Sequence, residues 1–142
     1  MSFTGDNPFI DIPDWGDRYA AYGYYSGITV GINNEHTLFA PDRDITFQEF
    51  TAFLLRVLGY NEATGDFLYE QAIAKASAVD LFSPYDISKI AADNYVRGNA
   101  VLEMANALLT KAKGSNELLL YQLADKGVFT QADADWLFEN IR

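Results

Sequence analysis

The stretch ITFQEFTAFLLRVLGY, residues 45–60, decides the fold. Its apolar residues fall at 47, 50, 53, 54, 57 and 58, with Gln48, Glu49 and Arg56 off the stripe. That is the period of an amphipathic helix. The stretch also carries its own start and stop. Thr46-Phe47-Gln48-Glu49 has the form of a capping box, in which the Thr46 hydroxyl accepts from the Glu49 amide and the Glu49 carboxylate accepts from the Thr46 amide. The charge on Glu49 suits the positive end of the helix dipole. Gly59 followed by Tyr60 is the matching stop, because glycine takes the left-handed conformation cheaply and the next apolar residue packs back on the last turn.

Working outward, Val101, Met104, Ala105 and Leu108 repeat the stripe in a second strong helix over 95–112. Weaker patterns predict helices over 16–26, 67–80, 116–126 and 131–140. Gly27-Ile28 and Gly127-Val128 repeat the glycine stop. GITVGI, residues 27–32, is short, carries two glycines and predicts at most a small strand or turn. The expectation is an all-α chain of about six helices.

The 142 residues suit one domain over 1–142, and a 49% hydrophobic content is enough to bury a core. Twenty acidic residues against ten basic ones give a net charge of −10. That opposes non-specific nucleic-acid binding and docking on an anionic membrane, both of which need Lys and Arg. The chain has no cysteine, hence no disulfide or thiolate metal site. No apolar run approaches the roughly 20 residues that span a bilayer, so no membrane insertion is expected. MSFTGDNPF at the N-terminus lacks the basic and apolar segments of a secretory signal. There is no P-loop, dinucleotide glycine motif or nucleophile elbow. The aspartates at 11, 14, 17, 42 and 44 do not fit the calcium-binding loop of an EF-hand, and His36 has no partner at metal-ligand spacing. The reading is therefore non-enzymatic, with no catalytic residue, metal or cofactor.

An internal repeat is present at an offset of 50 residues. ITFQEFTAFLLRVL (45–58) aligns with YVRGNAVLEMANAL (95–108), and the helix ending at Gly27-Ile28 corresponds to one ending at Asp80-Leu81. Each unit is a short helix, a long loop and a longer helix. FIDIPDW (9–15), GITVG (27–31), LFAPDRDI (38–45) and TFQEF (46–50) occur in this order. In these motifs the chain resembles the S-layer homology (SLH) domain of bacterial surface proteins. The resemblance covers repeat one, about 9–60, more specifically than repeat two, about 67–112. Residues 114–142 resemble a shortened third unit.

The resemblance implies SLH-type repeats packed about a pseudo-threefold axis. It implies a secreted, extracellular module at the cell surface or cell wall of a Gram-positive bacterium, with cell-wall polysaccharide bound in grooves between repeats. The alternative is a structural or protein-interaction module that keeps the fold without sugar binding, with another surface protein as partner. In the family the box arginine contacts the anionic sugar. Here that position is Phe47 in repeat one and Arg97 in repeat two.

The candidate ligand-binding residues are Arg97, Asp11 and Trp15, and the candidate structural caps are Thr46 and Glu49. Arg97 offers a planar fork to a carboxylate, or else forms an ion pair. Asp11 helps shape a groove, or else caps a turn. Trp15 stacks on a sugar face, or else anchors the core. Tyr19, Tyr22, Tyr24 and Tyr25 spread over several helix faces, which sends some of them into the core.

Overall fold

A computed structural model of the chain describes residues 5–92 and 95–141. Among these residues there are seven α-helices and no strand. They are α1 (Asp17–Tyr25), α2 (Phe47–Val57), α3 (Ala72–Ala78), α4 (Pro84–Ala92), α5 (Arg97–Leu108), α6 (Leu119–Asp125) and α7 (Gln131–Ile141). Two 3-10 turns, Glu62–Thr64 and Tyr69–Gln71, stand between α2 and α3. The all-α expectation holds, and GITVGI forms no strand. The helix expected over 67–80 is instead a 3-10 turn followed by the shorter α3.

Helix α4 is additional to the six expected. Its start carries an ordinary signal all the same. The Asp86 amide donates to the Ser83 hydroxyl (3.2 Å) and the Ser83 amide to the Asp86 carboxylate (2.9 Å), with Pro84 at the first helical position.

The chain divides into two compact units, Met1–Ile45 and Thr46–Arg142. The division falls inside the first repeat, immediately before the capping box. In the N-terminal unit, Phe9 is the buried centre. Its ring lies edge-on to Tyr24, with centroids 5.7 Å apart, and tilted against Phe39 at 5.3 Å. Helix α1 buries only Ala20 and Ala21, and it ends where Ile28 N donates to Gly23 O at 2.9 Å. Two backbone bonds tie the loops together: Ile10 N to Thr37 O (2.9 Å) and Ile32 N to Leu38 O (2.8 Å). Gly31 sits at φ +77°, and a Cβ there would lie 2.6 Å from Leu38 O and 2.8 Å from the Phe9 ring. No side chain fits that position.

In the C-terminal unit, α2 is central and packs against both α3 and α5. It buries Thr51, Ala52, Leu54 and Leu55, and Leu58 just past its end is fully buried. Phe67, Leu81 and Phe82 complete this core, while α6 and α7 form a smaller cluster around Leu120, Ala124 and Ala134. Phe47 and Phe50 pack on the edge of the main core.

The expected stripe on α5 is corrected. Val101 and Met104 are exposed, and the residues the helix buries are Glu103 and Ala107, with Thr110 buried just beyond its end. The small Ala100 and Ala107 lie on the inward face, where a short side chain lets α5 approach its neighbours. Hydrophobicity alone selected the adjacent face.

Four helix ends share one geometry, the first at Gly27 (φ +71°) with the Ile28 N to Gly23 O bond. Gly59 (φ +89°) and Gly127 (φ +75°) are followed by bonds from Tyr60 N to Leu55 O (2.9 Å) and from Val128 N to Leu123 O (3.0 Å). Asp80 does the same at φ +60°, with Leu81 N donating to Ala76 O at 2.9 Å. A non-glycine residue in this region carries a strain of about 1 kcal/mol. Asp80→Gly is therefore expected to stabilise the chain by about 1 kcal/mol in urea unfolding. Gly31→Ala is expected to destabilise it by about 2 kcal/mol or more, through positive φ and a blocked Cβ together. An unchanged midpoint for Gly31→Ala would contradict the close approach at Leu38.

Candidate functional site

Asp11 is a staple of the N-terminal unit. Its carboxylate accepts from Phe39 N (2.9 Å) and Ala40 N (2.7 Å), across 28 and 29 residues of sequence. The bond from Phe39 holds the Asp11 carboxyl below its ordinary value, with that from Ala40 acting in the same direction. Ala40 itself takes φ +57°, so the carboxylate braces a strained turn. Asp11 thus acts as a long-range staple of the loop at Phe39 and Ala40 rather than as a cap on the turn next to it.

Trp15 is 78% exposed, which overturns its reading as a core anchor. The cause is local. Gly16 N donates to Pro13 O at 2.8 Å, and this tight turn buries Gly16 while Trp15 projects outward. Tyr19, Tyr22 and Tyr25 on α1 are also more than half exposed. Tyr24 is the tyrosine that turns inward, onto Phe9 and the His36 ring. His36 is exposed, at φ +56°, with Nδ1 2.6 Å from Val30 O. Arg18 lies over the Tyr19 ring, 4.8 Å from its centroid, and bonds the Tyr19 hydroxyl at 2.8 Å.

The capping box of α2 is formed as drawn from sequence. Glu49 N donates to the Thr46 hydroxyl (3.2 Å), and Thr46 N to the Glu49 carboxylate (2.9 Å). At the corresponding place in repeat two, Val96 is the cap residue and has no side-chain oxygen. The box there is half made: Val96 N donates to Asn99 Oδ1 at 2.9 Å. Both helices thus start at the positions that the 50-residue offset pairs.

Phe47, in the family's arginine position, places its ring 5.6 Å from Phe82 and 6.2 Å from Tyr95. Arg97 opens α5 and is exposed, and its side chain makes no hydrogen bond or ion pair among the described residues. Asp11 and Trp15 belong to the N-terminal unit and Arg97 to the C-terminal one.

A polar cluster that sequence reasoning missed lies inside the C-terminal unit. Glu103 is fully buried, and both its carboxylate oxygens, the Tyr95 hydroxyl and Asn106 Nδ2 lack hydrogen-bond partners among the described residues. Burial pushes the Glu103 carboxyl up to about 7, opposed by the Tyr95 hydroxyl. Burial also raises the Tyr95 phenol, and the Glu103 charge adds to that. The two groups interact electrostatically, yet their geometry does not close a hydrogen bond, so they are neighbours rather than a bonded pair. The signal for Glu103 was its position four residues before Ala107 on the small-residue face.

Among the described residues, no three His, Asp or Glu side chains gather to hold a metal ion, and no helix is long and apolar enough to cross a membrane. No family model, curated protein or solved structure matches the chain.

Thr46→Ala is expected to cost about 1 kcal/mol through loss of the cap. Phe47→Ala is expected to cost about 3 kcal/mol through lost packing on Phe82 and Tyr95. Equal small effects in thermal unfolding would show that Phe47 serves the surface rather than the core.

Proposed function

We propose that the chain is a non-catalytic SLH-type module of a secreted bacterial surface protein, with cell-wall polysaccharide as its ancestral partner. The observation that carries this reading is a threefold succession along the chain. A short helix ends in a left-handed residue, and a longer helix follows. The three instances are α1, Gly27 and α2; α3, Asp80 and α5; and α6, Gly127 and α7. Helix α4 interrupts the second unit, and the loop of the third is shortened to five residues, 126–130.

The first unit gives the motif residues physical tasks. Phe9 fills the centre, Asp11 staples the loop at Phe39 and Ala40, and Gly31 admits the approach of Leu38. Exposed Trp15 is suited to stacking on a sugar ring, and exposed Arg97 to a forked contact with an anionic group.

A second reading keeps the fold as a structural or protein-docking module without sugar binding. Phe47 favours it, because a ring packed on Phe82 offers neither charge nor donor where the family places an arginine.

Co-sedimentation with purified cell walls, intact and stripped of polysaccharide, separates the two. Anchoring predicts binding to intact walls only. Trp15→Ala and Arg97→Ala should each weaken it tenfold or more with unchanged melting temperature, and Arg97→Lys should be weaker than wild type because an ammonium lacks the planar fork. Equal binding to stripped walls, or full binding by Arg97→Ala, would favour the second reading.

A further inference from the structure

We infer that Glu103 is a proton-controlled latch on α5: the neutral carboxyl belongs to the packed C-terminal unit, and its ionisation releases the helix from α2. The argument begins with geometry. Glu103 is fully buried, and neither of its oxygens accepts a hydrogen bond among the described residues. A carboxylate in that state keeps its charge without solvent or donors, which is strongly unfavourable. The neutral acid is tolerated far better. Tyr95, whose hydroxyl acts on the Glu103 carboxyl, is itself set among apolar rings, stacked on Phe47 and tilted toward Phe50 of α2.

Among the described residues, no charged side chain of α2 or α6 pairs with Glu103. On α2, Glu49 is bound to the Thr46 amide and Arg56 to Glu62. On α6, Tyr121 donates to Asp135, and Asp125 accepts from Gln131. Tyr95 is the one titratable group among the described residues that acts on the Glu103 carboxyl. A second feature gives α5 somewhere to go. Val101 and Met104, one position along from the half-buried Ala100 and the buried Glu103, are 56% and 46% exposed. The helix thus carries a second apolar face beside the one it buries.

The direction with pH follows. The carboxyl titrates at about 7 in the folded unit and at 4.5 when unfolded. Well below pH 4.5 both states are neutral, and ionisation of Glu103 costs no stability. As pH rises from 4.5 through 7 the unfolded chain ionises first, so stability falls, and the loss is complete above 7. The folding constant is expected to drop by about two orders of magnitude across this window.

The direct test is a carbon-13 titration of side-chain carboxyls in the full chain. One carboxyl should titrate in the neutral range, and Glu103→Gln should remove that resonance. A Glu103 signal titrating near 4.5 would overturn the latch. Urea unfolding at pH 5 and pH 8 supplies the second arm. Wild type should lose stability toward pH 8 and Glu103→Gln should not; parallel behaviour of the two would also overturn it. Should Glu103→Gln fail to fold, the wild-type titration and Tyr95→Phe decide. Tyr95→Phe keeps the buried acid and removes the opposing hydroxyl, so the neutral-range titration must persist or move higher. Amide exchange in wild-type α5, corrected for intrinsic rates, should quicken from pH 5 to pH 8. Unchanged protection there would show that ionisation does not free the helix.

Discussion

Short helices impose the constraint on which the rest of this structure depends. Each helix leaves four amides and four carbonyls without intrahelical partners. In helices of seven to twelve residues those groups make up from about a third to just over half of the backbone donors and acceptors. The chain answers at both ends. Thr46 with Glu49, Ser83 with Asp86 and Thr130 with Asp133 satisfy amides at the starts of α2, α4 and α7. Left-handed residues at Gly27, Gly59, Asp80 and Gly127 let following amides reach back to terminal carbonyls. Packing around Leu55 and Leu58 then stabilises helices whose ends are already settled.

These end signals are also what made the fold legible. Caps and stops are local: a residue type at a fixed offset is enough to specify them, and five of the elements could be placed from them or from periodicity within a few residues. Helix α4 shows the same chemistry overlooked, since Ser83-Pro84 with Asp86 is as clear a start as Thr46 with Glu49. What could not be read locally was which face a helix buries. On α5 the apolar stripe and the small-residue face are adjacent, and packing against α2 favours the small one although it carries Glu103. The core-anchor reading of Trp15 failed for a related reason. The residue's match to the tryptophan of the resembled motif pointed inward, while the turn at Pro13–Gly16 sent its side chain out. Of the candidate site, the Thr46–Glu49 cap is local and was accessible; the staple from Asp11 to Phe39 and Ala40 and the buried cluster at Tyr95, Glu103 and Asn106 are tertiary and were not.

Two perturbed carboxyls of the C-terminal unit, Asp66 and Glu103, pull stability in opposite directions. Lys113 bonds Asp66 at 2.7 Å and, with the Asn61 amide, lowers it to about 2. Its contribution is present above 3.8 and is lost as pH falls through about 2. Glu103 acts in the reverse sense, from 4.5 upward. The interval between these two windows, around pH 4 to 5, is where neither group costs stability.

The same chemistry changes how the charge of −10 should be understood. Glu49, Asp86, Asp133, Asp11 and Asp66 each accept from a main-chain amide. Their oxygens are committed to helix starts and loop turns, so their acidity follows from short elements needing acceptors and does not require a cationic ligand. The field they create persists nonetheless, and it opposes the approach of an anionic polymer at low salt. Moderate salt screens that repulsion over about 10 Å and leaves short-range contacts largely intact. Any anionic glycan held through Arg97 must therefore gain its affinity at contact distance. A neutral sugar face meets no such opposition at an exposed aromatic ring such as Trp15, so under the proposed anchoring role the aromatic contact is the less costly of the two contacts proposed.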